Sequence, residues 1–137
     1  MMNLANQHKS RIAKQFSRAA THYNSAADVQ LDIAFDAKNL LPEFVHLGLD
    51  IGCGTGRISQ HLAENCDSLI AMDLAFGMLN YAQQQDVASA TSIHWLQGDA
   101  EHLPLGDESV NLVFSSMALQ WCPAQIQVMS EINRVMK

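Results

Sequence analysis

The sequence predicts an α/β domain, a doubly wound parallel sheet, and three observations carry that prediction. Apolar runs alternate with helical spacings, a triple-glycine turn joins the first run to the next helix, and aspartates stand at the ends of successive strands. Crossovers between parallel strands need a helix, which accounts for the alternation. Ligands in such sheets sit beyond the carboxyl ends of the strands, where strand order reverses. The 137 residues fit one domain, and 48% apolar content is enough for a core.

The elements follow in order. Ile12, Phe16 and Ala19 or Ala20 predict a first helix ending near Thr21, and Val29, Ile33, Ala34 and Leu40 predict a second, closed by Leu41-Pro42. A strand over 47–51 runs into Gly52-Cys53-Gly54-Thr55-Gly56, and a helix over 58–64 follows. After the turn-rich Asn65-Cys66-Asp67, the apolar run 69–72 makes a second strand ending at Asp73. Met78, Leu79 and Ala82 space out a helical face, and 92–96 is a short third strand before Gly98-Asp99. The fourth strand, 110–114, is apolar apart from Asn111, as buried parallel strands are. From Pro123, the series Ile126, Met129, Ile132 and Val135 predicts a last amphipathic helix.

Charge and cysteine usage exclude several classes. The formal charge of −6 hides an asymmetry, because Lys9, Arg11, Lys14 and Arg18 all precede the first acid, Asp28. That segment is either a solvated helix face or a docking site for an acidic partner. It is short and lacks the aromatic interleaving that stacks bases, so no nucleic acid is expected. No apolar run approaches the ~18 residues of a membrane span, and the first 21 residues lack the apolar core of a signal peptide, so a cytoplasmic protein without a membrane partner is expected. Cys53, Cys66 and Cys122 have no Cys-x-x-Cys spacing and the six histidines are scattered, which supports neither a disulfide framework nor a metal site.

The glycine loop is the chemical centre. Glycine permits positive φ and lets a ligand lie against bare backbone, while the N–H groups opening the next helix point into the same space. A dinucleotide fingerprint puts its third Gly or Ala five residues after the first, and here that place is Arg57. Gly52, Gly54 and Gly56 follow Asp-x-Gly-x-Gly-x-Gly instead. Asp73 stands seventeen residues beyond Gly56, where a carboxylate can accept from both ribose hydroxyls. Asp99 ends the third strand, where it can accept from an adenine amine while Ala100 offers its N–H to the ring. Asp50 at the mouth of the loop suits an ammonium or sulfonium, and Cys53 has no base placed for it in the sequence. Singly, Asp73 and Asp99 are ordinary turn or cap aspartates; in this order they point to an adenosine-containing cofactor.

This pattern resembles the class I S-adenosylmethionine-dependent methyltransferases. Four stretches resemble, more narrowly, the malonyl-acyl-carrier-protein O-methyltransferases of biotin synthesis: Arg11-Ile12-Ala13-x-x-Phe16-Ser17-Arg18-Ala19-Ala20-x-x-Tyr23, residues 50–56, Gly98-Asp99-x-Glu101-x-Leu103-Pro104-Leu105, and residues 112–122 ending Leu119-Gln120-Trp121-Cys122. The resemblance implies a Rossmann-like class I methyltransferase fold, truncated after the fourth strand and its following helix, with N-terminal helices. It divides the chain into an N-terminal helical cap or lid over 1–45 and a partial S-adenosylmethionine-binding domain over 46–137. It implies S-adenosyl-L-methionine as cofactor and methyl transfer to the free carboxylate of a malonyl thioester on acyl carrier protein, with no catalytic side chain because that carboxylate is already a nucleophile.

The cofactor contacts it implies are Tyr23, Asp50, Gly52, Cys53, Gly54, Gly56, Asp73, Leu74, Met78, Asp99, Ala100, Glu101 and Ser115, with Gln120 and Trp121 lining the acceptor mouth. Tyr23 would close the methionyl end or be an ordinary half-buried aromatic, and Trp121 would line the mouth or be core. A non-catalytic binding module and a methyltransferase for another small molecule are the alternatives. The shortened sheet further implies a complementing C-terminal chain, or self-association through the fourth-strand edge.

Overall fold

The computed structural model describes residues 3–26, 28–86 and 91–137, and for residues 19, 21–26 and 28 the backbone alone. Helices α1 (Leu4–Ala26) and α2 (Asp28–Lys38) precede strand β1 (Val45–Ile51). Then come α3 (Arg57–Leu62) with a 3-10 turn at Ala63–Asn65, β2 (Cys66–Asp73), α4 (Phe76–Gln85) and β3 (Ser92–Gln97). The strand β4 (Leu112–Ser115), a 3-10 turn at Leu119–Trp121 and α5 (Gln125–Val135) complete the order. All pairings are parallel, in the order β3-β2-β1-β4. Ile51 pairs with Met72 and Ser115, and Asp73 with Gln97, so four strands end level and their following loops share one edge.

Strand alternation sorts two cores. Leu49, Ile51 and Met72 face Val128 and Val135 of α5 on one side of the sheet. Leu69 and Phe114 meet Ala34, Ile58 and Leu62 of α2 and α3 on the other, while Ala71 meets Leu79 of α4. Burial of each of the larger of these side chains, the valines, leucines, isoleucines, Met72 and Phe114, stabilises by roughly 1.5–3 kcal/mol. Across the strand ends lies α1, which packs Ala13, Phe16 and Ala20 on Ala75, Met78 and Tyr81.

Several elements differ from the sequence expectation for physical reasons. The first helix runs further at both ends, from Leu4 to Ala26, because its added residues are mostly polar in sequence and so leave no apolar period. Neither Gly nor Pro interrupts it, and Asn3 Oδ1 caps it by accepting from Asn6 N at 2.8 Å. The turn-rich Cys66-Asp67 opens β2: Cys66 is buried, and exposed Asp67 meets His46 Nδ1 at 2.6 Å. At the fourth strand, Asn111 exchanges two bonds with Leu47, donating from N at 2.9 Å and accepting on Oδ1 at 3.0 Å, ahead of Leu112. The α5 face is corrected as well. Ile126 is 89% and Met129 57% exposed, while Val128 is buried. A step of three residues rotates −60° on a helix of 3.6 per turn, so Ile126 and Val135 lie on opposite sides.

Candidate functional site

Gly52, Gly54 and Gly56 all adopt positive φ, at 75°, 56° and 76°. A Cβ on Gly52 would stand 2.2 Å from Ala118 Cβ, and one on Gly56 2.5 Å from the Trp95 ring, so both positions also require bare backbone for packing. Gly54 is different, because a Cβ there would meet nothing within 4 Å. Its bare α-carbon faces the open cavity. Four of the loop amides turn inward: Gly52 N and Cys53 N donate to Met72 O at 2.8 and 3.0 Å, Gly56 N to Cys53 O at 3.0 Å, and Gly54 N to Asp73 Oδ2 at 2.9 Å. An outward nest of N–H groups is what holds a phosphate, and these four are already engaged.

The carboxylates divide their work. Asp73 takes Gly54 N on Oδ2 and Ala75 N at 2.8 Å on Oδ1, binding the loop to the end of β2 while facing the cavity. Burial pushes its carboxyl up, against the pull of those N–H groups. Asp99 accepts Glu101 N at 2.9 Å and the Lys9 ammonium at 2.8 Å. Burial alone would raise it, but Lys9 and the Glu101 N–H hold it below the usual carboxylate range. Glu101 pairs with the same ammonium and accepts Ala124 N at 2.7 Å, at the start of α5. The ligand atoms of Asp99, Glu101 and His102 lie close enough for a cation, and Lys9 supplies one.

Asp50 lies beneath the loop instead of at its mouth. It is 1% exposed and accepts Ser59 Oγ at 2.6 Å. Burial, reinforced by Asp73 and opposed by the Ser59 bond, pushes its carboxyl up from 3.8 to about 7. Burial likewise drives the Cys53 thiol well above its ordinary value, helped by Asp50 and Asp73, which disfavours the thiolate.

Of the residues anticipated from the sequence, Gly52, Cys53, Gly54, Asp73, Leu74, Met78, Asp99, Ala100 and Trp121 line one cavity under α1. Asp50, Gly56, Glu101, Ser115 and Gln120 do not line it. Glu101 is buried against Lys9, Ser115 Oγ donates to Ile51 O at 2.9 Å, and Gln120 is exposed. Tyr23 sits on α1 with its side chain outside the described residues. Trp121 is 47% exposed and meets Phe16 edge-on at 5.7 Å, so it belongs to the rim and not the core.

The sequence reading missed Lys9, Phe16 and Met117 as cavity residues. Lys9 shares its sequence segment with the surface cations, yet it is 9% exposed, and burial, which would lower its ammonium, is outweighed by Asp99 and Glu101. Phe16 carried a helical-period signal that does not tell core from cavity wall. Met117 adopts φ 56°, a left-handed conformation for which no sequence signal exists.

Residues 49–137 match the methyltransferase domain family. The chain belongs to that family. A malonyl-[acyl-carrier protein] O-methyltransferase of Yersinia pestis is 46% identical over 133 residues, covering 95% of this chain and 48% of that protein. The biotin biosynthesis bifunctional protein BioHC of Cellvibrio japonicus is 40% identical over 131 residues, 94% of this chain and 26% of that one. This methyltransferase-family chain thus spans about half the length of the first of these relatives, and less of the second.

Solved structures share the fold. Phosphoethanolamine N-methyltransferase 1 of Haemonchus contortus, solved with phosphoethanolamine and S-adenosylhomocysteine, has a TM-score of 0.83 at 21% identity, over 99% of this chain and 31% of that one. A SAM-dependent methyltransferase of Aquifex aeolicus has a TM-score of 0.74 at 20% identity, over 88% and 67% of the two chains.

Proposed function

We propose that the chain binds S-adenosylmethionine in the cavity under α1. In this reading it forms the cofactor-binding part of a methyltransferase for the free carboxylate of a malonyl thioester on acyl carrier protein, in cytoplasmic biotin synthesis. Residues 1–45 serve as the cap and 46–137 as the cofactor domain. The observation that carries this is Gly54: bare backbone facing a cavity between the Asp73 and Asp99 carboxylates, with the loop amides engaged internally. A hydroxyl-bearing nucleoside, which donates from its ribose hydroxyls, fits that acceptor set.

When bound, the cofactor supplies a methyl group on a sulfonium, open to in-line displacement. The chain's own residues bind and orient. Asp73 keeps lone pairs for ribose hydroxyls, and Asp99 and the Ala100 backbone serve the base. Leu74 and Met78 supply apolar wall, and Gly52 to Gly54 supply bare backbone. Phe16 and Trp121 cover the mouth, shielding the cavity from water. No general base is needed, since the acceptor carboxylate is ionised at neutral pH. Positioning alone can supply up to roughly 7–11 kcal/mol of the acceleration. The names of the relatives favour a malonyl acceptor over other small molecules.

Calorimetry with S-adenosylhomocysteine tests the cofactor. Asp73→Ala is expected to weaken binding by about 1.5–3 kcal/mol, the usual value of a charged hydrogen bond. Cys53→Ala should leave it nearly unchanged, with thermal unfolding run alongside to show that both variants fold. Absence of binding by folded wild type would refute the proposal.

A further inference from the structure

Helix α1 has two faces of opposite character. Lys9, Ile12, Ala13 and Phe16 point into the cavity. Arg11, Lys14 and Arg18, at i, i+3 and i+7, are exposed on the other side, and none of the three has an ion pair among the described residues. Beside Lys14 and Arg18 a shallow groove holds Phe76, 66% exposed. The protein as a whole carries a formal charge of −6, with half its lysines and arginines before the first acid. Three unpaired cations on one helix face, with an aromatic at their edge, therefore form a cationic island on an anionic surface.

We infer that this outer face of α1 is the docking surface for an acidic protein that carries the acceptor. The inference rests on the carrier-linked acceptor proposed above. Two acidic proteins repel except where their charges complement one another, so the island selects both the partner and its orientation. Its place in the fold matters as much as its charge. Phe16, on the same helix between Lys14 and Arg18, touches Trp121 at the cavity rim. A partner on the outer face is thus about one helix diameter, roughly 10–12 Å, from the mouth. The helix is held fast, by Lys9 in the Asp99 and Glu101 carboxylates and by Ser17 Oγ accepting Gly77 N at 3.0 Å. A tethered acceptor carried by a docked partner therefore meets the cavity from a fixed base.

The test is the triple variant Arg11→Glu, Lys14→Glu, Arg18→Glu of the full chain, none of whose changed residues lines the cavity. Association of malonyl acyl carrier protein is followed by fluorescence anisotropy from about 50 to 300 mM salt, a range over which screening of exposed charges grows strongly. Affinity for S-adenosylhomocysteine is measured separately by calorimetry. The expected result is a carrier association weakened about tenfold or more at low salt and no longer falling as salt rises, because the reversed charges repel the acidic partner and salt screens that repulsion, with unchanged cofactor affinity. Equal carrier binding by variant and wild type overturns the inference. So does wild type that binds S-adenosylhomocysteine but no carrier, an outcome that leaves the cofactor proposal standing, whereas loss of cofactor binding in wild type would sink that proposal instead. Single-stranded DNA or anionic vesicles binding wild type as well as the carrier does would show a non-specific cation patch and likewise overturn it.

Discussion

Lys9 and Asp50 are both buried ionisable groups, and the structure treats them in opposite ways. Lys9 is neutralised by two carboxylates, and removing its charge would strand them, the costly way to break a buried pair. Asp50 has only the Ser59 hydroxyl and a second acid nearby, so it prefers its proton up to about pH 7. The linkage then has a definite sign. Below 3.8 the folded and unfolded chains both hold that proton; between 3.8 and about 7 only the folded chain does, so stability falls as pH rises through this window. The full loss, complete above pH 7, is about 4 kcal/mol at 1.36 kcal/mol per pKa unit. Asp50→Asn, which cannot titrate, is expected to show a flatter stability profile from pH 4 to 7 in urea titrations. Parallel profiles for variant and wild type would mean that Asp50 ionises normally. None of this was legible from composition: the sequence placed an acid beside the loop, but whether it faces the ligand or the Ser59 hydroxyl is decided by the pleat of β1, which turns Asp50 away from the cavity.

At the scale of elements, the strand-loop-strand frame was legible because apolar runs and glycines are local signals. The alternating glycines located the turn, and Asp73 and Asp99 located two strand ends. The start of β2 at Cys66 was not legible, since turn-forming residues there are held extended by pairing with β1. Helix α1 was legible as a helix but not as a cavity wall, because only tertiary contact tells its inner face from its outer. That contact depends on Gly77 at the start of α4. A Cβ there would lie 2.6–2.7 Å from Ser17 Cβ, Cα and O, so the two helices meet where only glycine fits. Gly77→Ala should therefore push α1 off α4 despite alanine's better helix propensity, at a cost of about 1–3 kcal/mol for overpacking. Hydrogen exchange is expected to quicken in α1 more than in the sheet. A variant as stable as wild type, with α1 amides equally protected, would show that the helices can separate freely.

For the molecule as a whole, the sheet order places β1 and β2 inside and leaves β3 and β4 at the edges. Along its outer side β4 is met, among the described residues, only near its start, where Val110 bridges to Met136 in parallel and accepts Lys137 N at 3.0 Å. Beyond that bridge, residues 112–115 carry neither Pro nor Lys, the devices that usually discourage edge pairing. Ile126 and Met129 of α5 are exposed as well. A sheet whose loops line the cavity on the glycine side thus ends on this flank in an edge strand. A polypeptide of these 137 residues is expected to recruit a strand there, from a second copy or from a complementing chain. Sedimentation equilibrium should show a mass that rises with concentration, and methyl transfer should appear only when the complement is supplied. A monodisperse monomer at high concentration would contradict the open edge, and turnover of malonyl carrier protein by that monomer would show that these four strands suffice for the reaction.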